Sequence, residues 1–235
     1  MPTVDVAAPP QALGDLILGL RDSKQVLARE AVAWSVRAPS LETGIALAAQ
    51  AQDELGHAQV LTALHVHGFA NGSSRSAAER GRAERVGLGD PLAHPAALLF
   101  EPHTQSWPDM VALMCLWDGA VTVMLEALAA SSFAPLRNPI GKMCEEEAKH
   151  WIFAHGAAAD LMAREGQVPA ALREACKALL PRVRHWFEAI GDLAPLRREG
   201  VVPDTVPMAR YASRLGPLLE DMKLTWPAPD AAGAQ

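Results

Sequence analysis

The sequence predicts an all-α protein, a ferritin-like four-helix bundle followed by additional C-terminal helices. Three observations support this prediction. Hydrophobic residues make up 50% of the 235 residues and aromatic residues only 5%, a composition that favours helices packed on helices. Apolar residues recur at helical spacing in successive long segments. Two of these segments each carry a Glu-x-x-His pair, an arrangement that helical bundles use to bind metal ions.

The first predicted hairpin begins with a helix over residues 11–36, which Pro39 terminates. Ser40 is a good helix N-cap, so the second helix should start there and end at Gly68. Residues 1–10 precede the first periodic segment, and we expect them to be disordered.

The second predicted hairpin comes after a long connection. Residues 71–106 are rich in Gly, Ser, Arg and Pro, which indicates a crossover with one short helix. Helix three is predicted over residues 107–131. Helix four is predicted over residues 140–164, after a break at residues 135–139 that contains two prolines. Two hairpins joined by one long crossover have the connectivity of a ferritin-like bundle.

Two further helices complete a predicted helical domain of residues 11–227. Gly166 and Pro169 separate helix four from helix five, and a last helix is predicted over residues 206–221. The tail of residues 228–235 is rich in Ala and should be disordered.

Charge and cysteine usage exclude several classes of function. A net charge of −6 gives no general attraction for nucleic acid. The longest apolar stretch, residues 110–136, contains charged residues and is better interpreted as a buried bundle helix than as a membrane span. The three cysteines are widely spaced, and residues 1–14 lack the pattern of an export signal. These features predict a reduced, cytoplasmic setting.

The two Glu-x-x-His pairs are Glu54 with His57 in helix two, and Glu147 with His150 in helix four. Residues three apart lie on one side of a helix, so both side chains of a pair can reach the same ion. A carboxylate and an imidazole suit iron, manganese or zinc. One pair is weak evidence, but two pairs on the second helices of two hairpins predict a metal site. The alternative interpretation is surface charge with satisfied core histidines.

A complete four-carboxylate site also requires one acid from helix one and one from helix three. The acids available on these two helices are Asp22, Glu30, Asp118 and Glu126. Spacing alone does not separate Asp118 from Glu126. The position on helix one that lies level with Glu54 across the turn is residue 24, and it is Lys24 rather than an acid. The sequence therefore predicts an altered site.

Three residues beside the pairs are candidates for supporting roles. Gln50 lies one turn before Glu54 and should face the site. Asp53 and Glu146 should point away from the site by helical geometry. We favour solvated charge for these two acids, and support of a histidine on another helix is the alternative.

Six segments carry a resemblance to a known family: residues 34–41, 52–57, 117–120, 144–150, 204–207 and 224–227. In their order and spacing they resemble the catalytic-subunit family of bacterial phenylacetyl-CoA epoxidase, the phenylacetate ring monooxygenase. The members are ferritin-like di-iron carboxylate proteins of a multicomponent complex. The resemblance covers most of residues 11–227, without the long C-terminal extension of the typical catalytic subunit.

The resemblance implies a ligand set. It places the helix-three ligand at Asp118, in an Asp-Gly-Ala run, and leaves Glu126 as a supporting or structural acid. The helix-one ligand of the family is a glutamate in a Ser-Glu pair, which falls on Ser23 and Lys24 here. The chain thus departs from the pattern at one of six ligand positions. It keeps both Glu-x-x-His pairs, which the structural subunit of that enzyme has lost.

Lys24 also changes the charge balance. The implied ligands are Glu54, His57, Asp118, Glu147 and His150. Their three acids with a protonated Lys24 sum to −2, which matches one divalent ion rather than two. We expect iron at Asp118, Glu147 and His150, with the helix-two glutamate bridging, and a weak or absent site at His57. Alternatively, a neutral Lys24 ligates the metal, or its salt bridge to that glutamate replaces the metal.

Three functions are consistent with this resemblance. The chain is an O2-dependent oxygenase subunit with an altered metal site, a non-catalytic scaffold of a related complex, or a stand-alone ferritin-like oxidase of a biosynthetic pathway. The resemblance implies a small-molecule substrate such as an acyl-CoA thioester. It also implies a reductase, a homologous helical partner and an oligomeric assembly, with no nucleic acid or membrane partner.

Overall fold

A computed structural model describes residues 11–68, 87–92, 94–99, 104–191, 193–203 and 207–228. Within these residues the protein is an all-α, ferritin-like bundle, as the sequence predicts, and contains no strand. The predicted disorder of residues 1–10 and of the tail after residue 228 lies outside the described residues. So does most of the predicted crossover.

The described residues form nine α-helices and one π-helical turn. The α-helices are α1 (Gln11–Ser35), α2 (Leu41–Gly68), α3 (Pro95–Leu98), α4 (Trp107–Leu113), α5 (Gly119–Ala129), α6 (Ala134–Met162), α7 (Val168–Ala189), α8 (Ala194–Arg198) and α9 (Pro207–Asp221). The π turn, Met114–Asp118, joins α4 to α5. Helices α1 and α2 form the first hairpin, and α5 and α6 form the second. Helix α7 packs on α4, and α9 packs on α5.

Side-chain caps fix the starts of two bundle helices. The backbone N–H of Thr43 donates to the Ser40 hydroxyl over 3.2 Å, so Ser40 is the predicted N-cap of α2. At the start of α4, the Ser106 hydroxyl accepts from the Asp109 N–H, and the Asp109 carboxylate accepts from the Ser106 N–H. This reciprocal pair satisfies donors that the first helical turn would otherwise leave free.

The start of α6 corrects the prediction of a break at residues 135–139. The helix begins at Ala134 and includes both prolines of that segment. Pro135 lies in the first turn, where a missing N–H has no helical partner to lose. Pro139 lies one turn further inside the helix. The chain breaks instead at residues 130–133, before the helix begins.

The segment Trp107–Ala129 is the central helix of the bundle. It is long and apolar enough to cross a membrane by length and composition alone, since its most apolar window has a mean hydropathy of 1.7. However, 94% of its most apolar window is buried inside the protein. Its apolar character therefore belongs to a core helix whose surface is covered by the surrounding helices, as predicted.

The π turn within this central helix was not predicted. A π turn accommodates one additional residue, which rotates the subsequent side chains by roughly 100° relative to an uninterrupted α-helix. Gly119 comes directly after the turn. A Cβ atom at Gly119 would lie 2.7 Å from Trp151 Cζ3 and 3.3 Å from Tyr211 Cε2. The glycine therefore allows α6 and α9 to approach the backbone next to the π turn.

We expect Gly119→Ala to lower the free energy of unfolding by about 1–3 kcal/mol, because the new methyl group would overlap the Trp151 ring. Gly156→Ala in α6 is the matched control, since a Cβ atom there meets no other atom within 4 Å. The control should raise stability by about 0.5–1 kcal/mol, because alanine loses less backbone entropy in a helix. Urea unfolding measures both variants, and an equal effect of the two would contradict this packing.

Candidate metal centre

Side chains from four segments of the bundle meet in one buried cluster. The members are Lys24 of α1, Glu54 and His57 of α2, Asp118 of the π turn, and Glu147 and His150 of α6. Each of them is at most 5% exposed. Ligand atoms of Glu54, Asp118, Glu147 and His150 all lie within 4.8 Å of one another. The structure thus brings together every residue of the predicted ligand set.

Lys24 lies among the three carboxylates of the cluster. Its Nζ atom is 2.8 Å from Asp118 Oδ1, 2.7 Å from Glu147 Oε1 and 3.0 Å from Glu54 Oε2. It donates hydrogen bonds to Asp118 and Glu147. The predicted salt bridge to Glu54 is therefore present, but it is one of three.

A second group of atoms lies around His150 Nδ1. This nitrogen is 3.3 Å from Glu54 Oε1, 3.8 Å from Asp118 Oδ2 and 3.6 Å from Glu147 Oε1. Glu54 and Asp118 thus each present one oxygen to the lysine and the other oxygen to the histidine. Carboxylates that bridge two cations have this arrangement. Here Lys24 lies on one side of the two carboxylates, and on the other side ligand atoms of Glu54, Asp118, Glu147 and His150 bound a space that could hold a metal ion.

Several buried atoms of the cluster have no hydrogen-bond partner among the described residues. They are both carboxylate oxygens of Glu54 and the Nδ1 atoms of His57 and His150. Glu54 Oε2 is close enough to Lys24 for an ion pair but is not aligned for a hydrogen bond. Buried polar atoms are almost always partnered. A metal ion beside His150 would satisfy Glu54 Oε1 and His150 Nδ1, whereas His57 Nδ1 lies 2.9 Å from Glu147 Oε1. The mixed carboxylate and imidazole donors suit iron, manganese or zinc.

The outer nitrogens of both histidines are anchored by acids of the opposite hairpin. His57 Nε2 lies 2.7 Å from Glu146 Oε2, and His150 Nε2 lies 3.3 Å from Asp53 Oδ2. The favoured interpretation as a solvated charge was wrong for Glu146, which supports His57. Asp53 also contacts a histidine, but its side chain remains 41% exposed, so both interpretations apply to it. Each acid fixes the orientation of one imidazole ring and so directs its Nδ1 atom towards the cluster.

Two more polar side chains orient the carboxylates. Gln50 Nε2 donates to Asp118 Oδ2 over 3.3 Å, so Gln50 faces the cluster as predicted. The Thr122 hydroxyl lies 2.8 Å from Glu147 Oε2 and 2.9 Å from the Asp118 carbonyl oxygen. Sequence reasoning missed Thr122, although it lies one turn after Asp118 on the same helix face. By engaging Oε2, Thr122 leaves Glu147 Oε1 to face Lys24 and both histidines.

The remaining acids of helices one and three lie elsewhere. Glu126 forms ion pairs with Arg210 and Arg214 of α9, over 2.7 and 2.8 Å. Of the two roles predicted for it, support of the metal site and a structural role, Glu126 therefore has the structural role. Asp22 accepts from the His94 N–H over 2.6 Å. Glu30 accepts from the Thr104 N–H and hydroxyl. These three acids connect the bundle to its surrounding segments.

Burial and the close packing of opposite charges shift the pKa values of the cluster residues. Burial lowers the pKa of Lys24, but Asp118, Glu147 and Glu54 outweigh burial and hold it well above the ordinary value. Burial raises the pKa of Glu147, but Lys24 and His57 together hold it well below the ordinary value. Burial and the two glutamates raise the pKa of Asp118 well above its ordinary value. The positive charge of one lysine therefore does not fully compensate the negative charge of three buried carboxylates.

We expect Lys24→Met to lower the free energy of unfolding of the metal-free protein by about 3–5 kcal/mol at neutral pH, because it removes the cation that three buried carboxylates share. The loss should be smaller at acidic pH, because burial and the two glutamates raise the pKa of Asp118, which then takes up a proton more readily. Lys177→Met is the matched control, since that side chain is 67% exposed and its Glu174 contact is 3.8 Å. The control should change stability by less than about 0.5 kcal/mol. Urea unfolding would contradict the prediction if both variants behaved alike.

The pH dependence of stability should report the charge of His150. Burial lowers the pKa of this imidazole, but the Glu54 carboxylate 3.3 Å away and the neighbouring Asp118 and Glu147 raise it from 6.5 to about 10. Because the folded pKa exceeds the unfolded value, the stabilisation is complete below about pH 6.5 and is lost as the pH rises towards about 10. The stability difference between wild type and His150→Gln, both metal-free, should shrink across this window. A difference that stays constant in urea unfolding would show that the ring is neutral throughout.

Comparison with known proteins supports the predicted resemblance. The model of a family described as phenylacetic acid catabolic protein matches residues 3–235. Over 118 residues the chain is 31% identical to one of the subunits of 1,2-phenylacetyl-CoA epoxidase from Escherichia coli (strain K12). That match covers 50% of this chain and 35% of the relative. The chain therefore spans about a third of the length of the curated relative that it matches.

Proposed function

This chain belongs to the phenylacetic acid catabolic protein family. From that membership and from the geometry of the cluster, we propose that the chain is an O2-dependent oxidoreductase subunit with one iron ion per chain. The iron ligands are Glu54, Asp118, Glu147 and His150. Lys24 supplies the second positive charge at the position that another iron ion has in a di-iron protein.

One observation carries this proposal: Glu54 and Asp118 each divide their two oxygens between Lys24 and the space beside His150. A lysine that merely neutralised the acids would leave no set of unpaired donor atoms. Here Glu54 Oε1 and His150 Nδ1 are buried, face the same space and lack hydrogen bonds from the described residues. These are the properties of a site that is completed by a cation.

Iron in such a site supplies the reductive activation of dioxygen, with electrons from a reductase. The residues of the chain prepare the site for this chemistry. Lys24 holds Asp118 Oδ1 and Glu147 Oε1 through hydrogen bonds. Asp53 fixes the His150 ring, and the burial of all cluster members excludes bulk water. Weak screening inside the bundle strengthens each of these charge interactions.

The proposed substrate is a small molecule, and an acyl-CoA thioester is the favoured class because the curated relative is an epoxidase of phenylacetyl-CoA. A reductase and a homologous helical partner in an oligomer complete the proposed system, since the relative is named as one subunit of an enzyme. We place the protein in the reduced cytoplasm, in agreement with its three free thiols, Cys115, Cys144 and Cys176.

A non-catalytic structural role in such a complex is the second candidate function. The observation that favours it is the set of three Lys24 contacts, all between 2.7 and 3.0 Å. In this case the ammonium group replaces the metal altogether and serves the stability of the bundle. Both candidates agree with the family, and they differ in the amount of iron that the protein binds.

Iron analysis after anaerobic loading with ferrous iron and removal of free metal tests the proposal. We expect about one iron per chain for the wild type, close to none for His150→Gln, and about two for Lys24→Glu, in which a carboxylate restores the missing ligand. Lys177→Glu on the surface is the matched control and should match the wild type. No iron in the wild type would favour the structural role, and two irons would refute the role of Lys24 as a substitute cation.

Oxygen uptake tests the substrate class. The iron-loaded protein with a reductase should consume O2 faster when phenylacetyl-CoA is added, and the free acid should have little effect. Stimulation by the free acid alone would point to an oxidase that does not use CoA thioesters. The His150→Gln variant provides the background rate, because it lacks a nitrogen ligand of the proposed site.

A further inference from the structure

We propose that Tyr211 of helix α9 is a positioning residue of the metal centre. It holds the π turn of the central helix in place and thereby sets the direction in which Asp118 faces the cluster. The effect on metal binding rests on the function proposed above, whereas the effect on the π turn does not.

The contact that carries the proposal joins α9 to the backbone of the π turn. The Tyr211 hydroxyl donates a hydrogen bond to the Leu116 carbonyl oxygen, two residues before Asp118. The same carbonyl accepts the backbone N–H of Gly119. A π turn disturbs the regular backbone hydrogen bonds of an α-helix, and its carbonyl oxygens can accept an additional donor from outside the helix. Tyr211 is such a donor, and it comes from outside the four-helix bundle.

Tyr211 is itself held rigidly. The residue is 0% exposed, and its ring packs against Phe187 and Trp226 at centroid distances of 5.4 and 5.5 Å. The absence of a side chain at Gly119 allows this ring to lie against the turn, since a Cβ atom there would be 3.3 Å from Tyr211 Cε2. A hydroxyl group on so constrained a ring has one position, which fixes the carbonyl that it contacts.

The π turn controls the side chain of Asp118, its last residue. Because Asp118 ends the turn, the additional residue rotates its side chain by up to roughly 100° from the direction that an uninterrupted α-helix would give it, enough to move it to another helix face. Asp118 must present Oδ1 to Lys24 and Oδ2 to Gln50 and the space beside His150. Gln50 and Lys24 hold the end of this side chain, and Tyr211 holds the backbone from which it projects.

Cobalt(II) titration of Tyr211→Phe tests this role, because the variant keeps the ring and removes only the hydroxyl group. We expect Co2+ to bind at least about tenfold more weakly than to the wild type, with an altered visible absorption spectrum that reports changed coordination. Leu172→Ala is the control for general destabilisation, since Leu172 is a 0% exposed core residue of α7. It should lower the Tm but leave the cobalt affinity and spectrum unchanged.

The outcomes separate this inference from the proposed function. Wild-type affinity and spectrum in Tyr211→Phe would overturn the positioning role while leaving the metal site intact. A wild-type protein that binds no Co2+ would count against the proposed function instead. In that event, hydrogen exchange of the amides of residues 114–119 decides the inference. Exchange should be faster in Tyr211→Phe than in Leu172→Ala, and equal rates would overturn it.

Discussion

The burial of one ammonium group determines how this bundle is arranged. A lysine at 0% exposure is very costly unless charged partners surround it, and Lys24 obtains three carboxylates within 3.0 Å. Those partners come from α2, the π turn and α6, so the interaction ties all four bundle segments to one point. The neighbouring histidines and polar side chains then serve to keep the acids in position.

The two hairpins also support each other in a reciprocal way. An acid of each Glu-x-x-His helix anchors the outer nitrogen of the histidine on the other helix. Both rings therefore keep their inner nitrogens directed at the cluster. Beyond the bundle, α9 contributes Tyr211 to the backbone of the central helix. The centre thus depends on three layers of contacts, of which the outermost comes from a C-terminal helix that carries no member of the cluster.

Local sequence pattern was sufficient for the long helices and for four members of the buried cluster, since helical spacing places Glu54, His57, Glu147 and His150 on inward faces. The choice of Asp118 over Glu126 came from the family resemblance and not from spacing. It was insufficient where tertiary contacts decide the outcome. The prolines of α6 were expected to break the chain, yet they fit near a helix start. The π turn has no local signature, because its support comes from Tyr211, 95 residues away. The contacts of Asp53 and Glu146 with histidines depend on the distance between the two hairpins. Residue spacing within one helix carries no information about that distance, so these contacts could not be predicted.

The contacts of Lys24 have an evolutionary consequence. Lysine and glutamate codons are related by a single base change, and both side chains are long and unbranched. One point mutation at this position therefore exchanges an ammonium group for a carboxylate among partners that are already in place. If the proposed function holds, a lineage with this bundle passes between a one-metal and a two-metal centre without rebuilding its core, and selection on one codon is enough to drive the transition.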